Sequence, residues 1–357
     1  MLFAKDKFSQ DGPKWEKLNP QSLISSKNLI NLIEANYHNF VGRVINIYKV
    51  KGLEVNSSNF LIEGSLGKII LKVISKDAYL QLKSQDVIYN SIDKFNIPIP
   101  GMLGSADKNI DFDDAHIAIE YIKGRYFSGS SSDLSMAASA INELHNGIQN
   151  FKLINFSELP LFGSHSNDLL NRFIKTEHRW EALFDRETRI LLTKHISLIS
   201  AAEKYCVDNL SKLEEINKSI FHIDLHPQNI LIGSIKATII DVDSIQVSRW
   251  PIAIGFAFCK LARQALTNDS LSDNDLRHFL NELTSSYINE NNQSDIDLLF
   301  LGALSEVTRR LFTILEGNLD NKISPWNGVL GIQINVILEI LFLAKHFSVD
   351  MMNLPKG

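Results

Sequence analysis

Apolar and polar positions along this chain change period about a third of the way in. Residues 40–50 alternate loosely and are rich in Val and Ile, residues 60–63 and 68–74 flank the turn Gly64-Ser65-Leu66-Gly67, and residues 116–121 form another apolar run. Short β-branched runs separated by small-residue turns predict the strands of a small sheet. Two helical patterns interrupt it. One covers residues 21–37, just after Pro20, and reads as an accessory helix outside any cleft. The other covers residues 76–95 and stops at Asn96-Ile97-Pro98-Ile99-Pro100. From about Ser132 the helical period takes over, in residues 134–148, 167–216, 295–315 and 329–347. The charges of residues 167–216 alternate in sign, as on a solvated face.

One stretch departs from that helical half. Residues 229–232 and 237–240 are apolar and β-branched, and they flank Gly233-Ser234-Ile235-Lys236, which predicts a hairpin with a four-residue loop. A polar loop carrying Asp224 precedes it, and Asp241 follows its second strand. A hairpin of this kind brings Asn229 and Asp241 to one end of the ribbon with Asp224 beside them. An amide oxygen and a carboxylate converging there suit Mg²⁺, a hard ion that prefers oxygen and completes its shell with water and phosphate. A further carboxylate outside the metal shell can orient a hydroxyl and take its proton. Together these are the minimum equipment for phosphoryl transfer from ATP. Lys72 is the other sharp signal, because a lone ammonium inside the apolar strand Ile69-Ile70-Leu71-Lys72-Val73-Ile74 needs a partner unless it lies on the solvent face of an edge strand.

Composition narrows the class. The 357 residues suffice for two lobes sharing a cleft. The 45% hydrophobic and 22% charged content is that of a globular protein, and a net charge of −5 leans away from nucleic acid, which calls for a concentrated positive surface. Cys206 and Cys259 lack metal-ligand spacing and read as core thiols of a reducing compartment. The first eighteen residues carry charge throughout, with no apolar stretch of a signal peptide. Gln333, Asn335 and Glu339 make the apolar segment 329–347 a packed helix rather than a membrane span. The expectation is a cytoplasmic protein with no membrane and no nucleic-acid partner. Asp107, Asn109 and Asp111 have the spacing of a calcium loop, but Phe112 and Ala118 stand where that loop needs Gly and Glu, so an acidic hairpin tip is the better reading.

His222-x-Asp224-x-x-x-x-Asn229, followed by Ile239-Ile240-Asp241, resembles the catalytic signature of the aminoglycoside phosphotransferase and choline kinase family, and His226-Pro227 is similar to its bacterial members. The resemblance implies a bilobal protein-kinase-like α+β fold, with a nucleotide-binding sheet in residues 1–122 and a helical lobe carrying the catalytic loop and acceptor site in residues 123–357. It implies ATP and Mg²⁺ as cofactors and a small-molecule hydroxyl as acceptor. Residue by residue, Asp224 would be the catalytic carboxylate, Asn229 and Asp241 the metal ligands, and Lys72 the phosphate contact. Ser57 and Ser58 stand in place of the phosphate-covering loop, whose Gly-rich triplet is missing. Glu120 and Ile122 resemble the hinge whose backbone binds adenine. Leu144-His145 matches the family's pair at a helix end, with His145 read as a packed core histidine. His222 would brace the loop, and Asp243, Arg309 and Arg310 would lie near substrate or behind the catalytic residues.

Three departures stand out. Gln85, with Asp86 next to it, occupies the place of the glutamate that positions Lys72, and a neutral amide holds an ammonium about half as strongly as a charged partner. The phosphate loop is altered. No acidic residue precedes Leu261-Ala262, where most relatives carry an Asp-Leu-Ala triplet. These leave a kinase-fold nucleotide-binding protein without transfer as the alternative. The acceptor leans to a sugar or polyol. A quaternary amine would require an aromatic cage, for which Trp250 and Trp326 are the candidates, and an aminoglycoside would require a strongly acidic pocket.

Overall fold

A computed structural model of the chain describes residues 15–18, 24–50, 57–74, 86–106, 115–163, 168–267, 271–287, 293–319 and 322–351. Gln85 and the acidic run 107–113 lie outside them.

The first lobe is a six-stranded antiparallel sheet of order β1 (Trp15–Lys17), β2 (Val44–Val50), β3 (Ser57–Gly64), β4 (Lys68–Ile74), β6 (Ala115–Glu120) and β5 (Met102–Ala106). The predicted hairpin forms in register, Glu63 opposite Lys68, with Gly64 and Gly67 closing the turn by a backbone bond of 2.9 Å. Helix α1 (Ile24–Val41) packs Leu32, Ile33, Tyr37 and Val41 against Ile47, Ile62, Ile69 and Leu71. Because side chains alternate across a strand, burying Ile69 and Leu71 under α1 turns Lys72 to the opposite face. β4 pairs with β3 on one side and β6 on the other, so Lys72 sits in an inner strand and not on an edge. The expected strand at residues 40–50 begins only at Val44, because α1 continues to Val41 before Gly42 turns the chain at φ +65°. Of the helix expected over residues 76–95, the described part is two short turns, α2 (Asp86–Tyr89) and α3 (Ile92–Phe95).

Tyr121 to Gly124 links this sheet to β7 (Arg125–Tyr126), which adds to the hairpin of β9 (Ile230–Ile232) and β10 (Ala237–Ile239). A second ribbon pairs β8 (Lys218–His222) with β11 (Ile245–Arg249). Around these ribbons lie α4 (Ser131–Ile148), α5 (Leu169–Ile174), α6 (Trp180–Leu183), α7 (Arg186–Asp208), α8 (Leu210–Glu214), α9 (Trp250–Ala265), α10 (Asp273–Thr284), α11 (Gln293–Gly317) and α12 (Leu330–His346). Their apolar faces form one continuous core, which Ile88, Ile97 and Ile99 of the preceding segment also join. The entry into it is tied by Asp133, fully buried at the start of α4, which takes a two-pronged ion pair from Arg125 (2.6 and 2.7 Å) and the Ser128 amide (2.7 Å).

Helices α9 and α11 cross at glycines. A Cβ on Gly255 would lie 2.1 Å from the Leu299 carbonyl oxygen, and one on Gly302 2.2 Å from the Pro251 carbonyl carbon. Only glycine permits that approach, and it brings the polar ends of both helices under the catalytic loop. Most of segment 329–347 forms α12; the helical stretch Asn327–His346 is long and apolar enough to cross a membrane by length and composition, yet it packs into the helical core with Gln333 and Glu339 buried.

Candidate functional site

The site is assembled where β8 and the β9–β10 hairpin meet the open face of the sheet. From β8 the chain passes through the loop at Asp224 into a single 3₁₀ turn, Pro227–Asn229. Three bonds fix that loop. The Asp224 amide donates to His222 Nδ1 (3.2 Å), Asn229 Nδ2 donates to the Asp224 carbonyl (2.9 Å), and the Ile240 amide donates to the Asn229 carbonyl (2.9 Å). His222 is fully buried and stays neutral at physiological pH, since burial lowers its pKa, so it braces the loop. His145, likewise buried, accepts the His222 amide at 3.4 Å.

Asp241 follows β10 in a left-handed conformation, φ 64° and ψ 50°. Asp is among the few residues besides glycine that visit this region. The turn sends the chain into a 3₁₀ segment, Val242–Ser244, and both Asp241 and Asp243 meet Lys72 of β4. Lys72 Nζ donates to Asp241 Oδ1 at 2.8 Å and to Asp243 Oδ2. Burial would lower the lysine's pKa, but the two carboxylates outweigh it and raise it. Of the two acids, Asp241 is lowered by Lys72 against its own burial, whereas burial dominates at Asp243 and raises it.

Asp224 is held from below. Arg310 of α11 donates through Nη1 to Asp224 Oδ1 (2.7 Å) and through Nη2 to the Ile223 carbonyl (3.1 Å). Burial alone would raise the Asp224 carboxyl, but Arg310, with His226 and Lys260 nearby, holds it well below the usual carboxylate range. The second oxygen, Oδ2, faces His226 Nε2 at 3.8 Å, and the side chain keeps 28% of its surface exposed. Arg310 is itself fixed by Glu306 (2.6 Å) and stacks over Phe256, 4.4 Å from the ring centre. Arg309 donates to the same buried Glu306 at 2.8 and 2.9 Å and does not reach Asp224.

The described residues thus bring together Lys72, Asp224, Asn229, Asp241 and Asp243, with His222 behind them. Asn229 commits its amide nitrogen, which leaves its oxygen as a donor atom. That oxygen and the Asp241 carboxylate form the hard, oxygen-only pair that suits Mg²⁺. Other expectations are corrected. Asp86 is not a partner of Lys72, whose bonds among the described residues go to Asp241 and Asp243. Ser57 and Ser58 belong to β3, opposite Ile74 and Val73, rather than to a turn, because the ladder with β4 extends to them. By contrast, Ile122 lies in the link between β6 and β7, where the hinge was expected, and the Glu120 amide donates to the Gly101 carbonyl (2.9 Å). Trp250 and Trp326 form no cage: Trp250 is stacked on Tyr287 in the core, and Trp326 is on the surface.

Sequence reasoning did not single out Lys260, Phe256 or the ion pair of Arg310 with Asp224. A signal for Lys260 was present, since it is the only charged residue in the run from Trp250 to Ala262.

The chain matches no protein-family model and no curated protein. It is similar to solved structures. A spectinomycin phosphotransferase in complex with ADP and spectinomycin has 13% identity and a TM-score of 0.59, over 88% of this chain and 97% of that one. A thermostable mutant of an aminoglycoside phosphotransferase in a ternary complex with ADP and hygromycin B has 15% identity and a TM-score of 0.51, over 87% and 97%. A choline kinase from Cryptosporidium parvum has 13% identity and a TM-score of 0.50, over 90% and 97%. The chain has the bilobal α+β fold of these phosphotransferases.

Proposed function

We propose that this chain is an ATP- and Mg²⁺-dependent kinase that transfers the γ-phosphate to a hydroxyl of a small molecule, a sugar or polyol in its general class. The observation that carries the reading is the contact of Lys72, on the sheet, with Asp241, at the end of the hairpin, beside Asp224. In this reading the hydroxyl hydrogen-bonds Asp224 Oδ2, because Arg310 commits Oδ1 and fixes the rotamer. A carboxylate held so far below its usual range is a weak base. Its main work is therefore orientation, with proton uptake late, as suits the loose transition state of phosphoryl transfer. Asn229 and Asp241 would hold Mg²⁺, which when bound neutralises charge on the phosphate oxygens. Lys72 would serve the triphosphate, with Asp243 keeping its ammonium at the cleft while Asp241 engages the cation. The similarity to structures solved with ADP supports the nucleotide part.

Cys206 and Cys259 are buried free thiols, which suits a reducing compartment and a cytoplasmic protein. The lobes are divided near residue 122, where the link between β6 and β7 crosses.

The test is thermal unfolding with ATP, with and without Mg²⁺, followed by ADP release over a panel of hydroxyl compounds. Mg²⁺-dependent stabilisation and acceptor-dependent ADP release are expected. Absence of any nucleotide stabilisation would sink the proposal. Nucleotide binding without transfer is the second reading, favoured by the hold of Arg310 on Asp224. Stabilisation with no acceptor turned over would select it.

A further inference from the structure

The floor below Asp224 is a cluster of charges from three helices. Lys260 and Arg263 come from α9, Glu306, Arg309 and Arg310 from α11, and Glu339 from α12. The carboxylates here are all engaged by arginines: Glu306 by Arg309 and Arg310, Asp224 by Arg310, and Glu339 by Arg263 at 3.7 Å. Lys260 is different. Its ammonium lies over the Phe256 ring, 5.2 Å from the centre, and among the described residues no carboxylate comes within ion-pair distance of it. Phe256 carries Lys260 and Arg310 together, and Arg310 is bonded to Asp224. The unpaired cation therefore lies close to the carboxylate that would receive the acceptor hydroxyl.

Lys260 is half-buried, and an ammonium with little water and two arginines adjacent gains from a counter-ion that a ligand can supply. Burial, with Arg263 and Arg310 adjacent, pushes Lys260 down to about 8 although Asp224 and Glu339 oppose it. A polycationic or quaternary-amine acceptor would meet Lys260 with like charge, and no uncommitted carboxylate in this cluster would receive it.

Resting on the kinase reading above, we propose that Lys260 receives a carboxylate or phosphate carried by the hydroxyl acceptor, so that the enzyme acts on hydroxylated anions in preference to aminoglycosides or amino alcohols. Lys260 is then a specificity residue, and its position before Leu261-Ala262 gives that helix a ligand-facing cation.

The experiment compares acceptors in matched sets: glycerol, glycerate and glycerol phosphate; glucose, gluconate and glucose phosphate; with choline and an aminoglycoside as cationic members. ADP release is measured for wild type, Lys260→Gln and Lys260→Arg, with unfolding transitions confirming that each variant folds. An anionic member should exceed its neutral counterpart by roughly tenfold or more in kcat/KM. Lys260→Gln should erase that preference chiefly through KM, and Lys260→Arg should retain it. The carboxylate and phosphate arms identify which anion is read. Preference for a neutral or cationic member, or an unchanged preference in Lys260→Gln, overturns the inference while leaving the kinase reading intact. If nothing turns over, calorimetry of glycerate and glycerol phosphate with the Mg-ADP complex decides. Binding that is lost in Lys260→Gln supports the anion site, and no binding to wild type refutes it.

Discussion

Lys72 Nζ lies 2.8 Å from Asp241 Oδ1, although 169 residues separate them in the chain. The contact joins the inner strand of the sheet to the end of the β10 strand, and it makes each residue the other's electrostatic environment. Lys72→Met should leave Asp241 and Asp243 facing each other without a cation. We expect the KM for ATP to rise by roughly tenfold or more and turnover to fall with it. Steady-state kinetics with varied ATP checks this. Asp241→Ala should instead abolish the Mg²⁺ dependence of nucleotide binding, read by calorimetry with and without the metal.

Asp224→Asn keeps the shape of the side chain and removes the proton acceptor. Turnover should fall by roughly 10²- to 10⁴-fold, while Mg-ATP stabilises the variant against heat as it does wild type. Wild-type turnover in this variant would remove Asp224 from the chemistry.

Arg310 bridges Asp224 and the buried Glu306, so its loss leaves two carboxylates to find other partners. Arg309 still holds Glu306, which limits the damage. We expect Arg310→Leu to cost about 3 kcal/mol of stability, measured by denaturant unfolding. The Asp224 carboxyl should also titrate higher without the guanidinium, so the acid limb of the pH profile of kcat/KM should move upward.

His145 is buried and neutral, its pKa lowered to about 3 by burial and by the neighbouring His222. The unfolded state takes up the proton near pH 6.5. Between that pH and about 3 the unfolded chain therefore binds more protons than the folded one, and stability should fall as the pH falls. The slope from this one residue is about 1.4 kcal/mol per pH unit. It should be near full strength below about pH 5.5 and nearly absent above about pH 7.5. Unfolding of His145→Phe across that range should show a shallower slope. An unchanged slope would mean that His145 is not buried neutral.

Much of the site was legible before the structure because it is local. Asp224, Asn229 and Asp241 lie within eighteen consecutive residues around a hairpin whose loop length dictates which ends meet, and the ladder Ala237 opposite Ile232 is the one that spacing predicts. Lys72 was visible as a charge inside an apolar strand. Its partners were not, since a resemblance pointed to Gln85 or Asp86 while the ammonium goes to Asp241 and Asp243. The start of β3 was also misplaced, because Ser57 and Ser58 are drawn into the ladder by pairing with β4 and not by any preference of their own.

The amino-acid sequence by itself determined the central strands of the sheet, the onset of the helical half, the hairpin, and the acids it carries, since periodicity and turn chemistry act over a few residues. The tertiary structure alone decided which charges neutralise each other: Arg310 under Asp224, Arg309 turned to Glu306, and Lys260 left over on Phe256. Those pairings depend on how α9 and α11 cross at Gly255 and Gly302. A crossing is set by packing between segments distant in the chain, and a displacement of a few ångströms exchanges one ion pair for another.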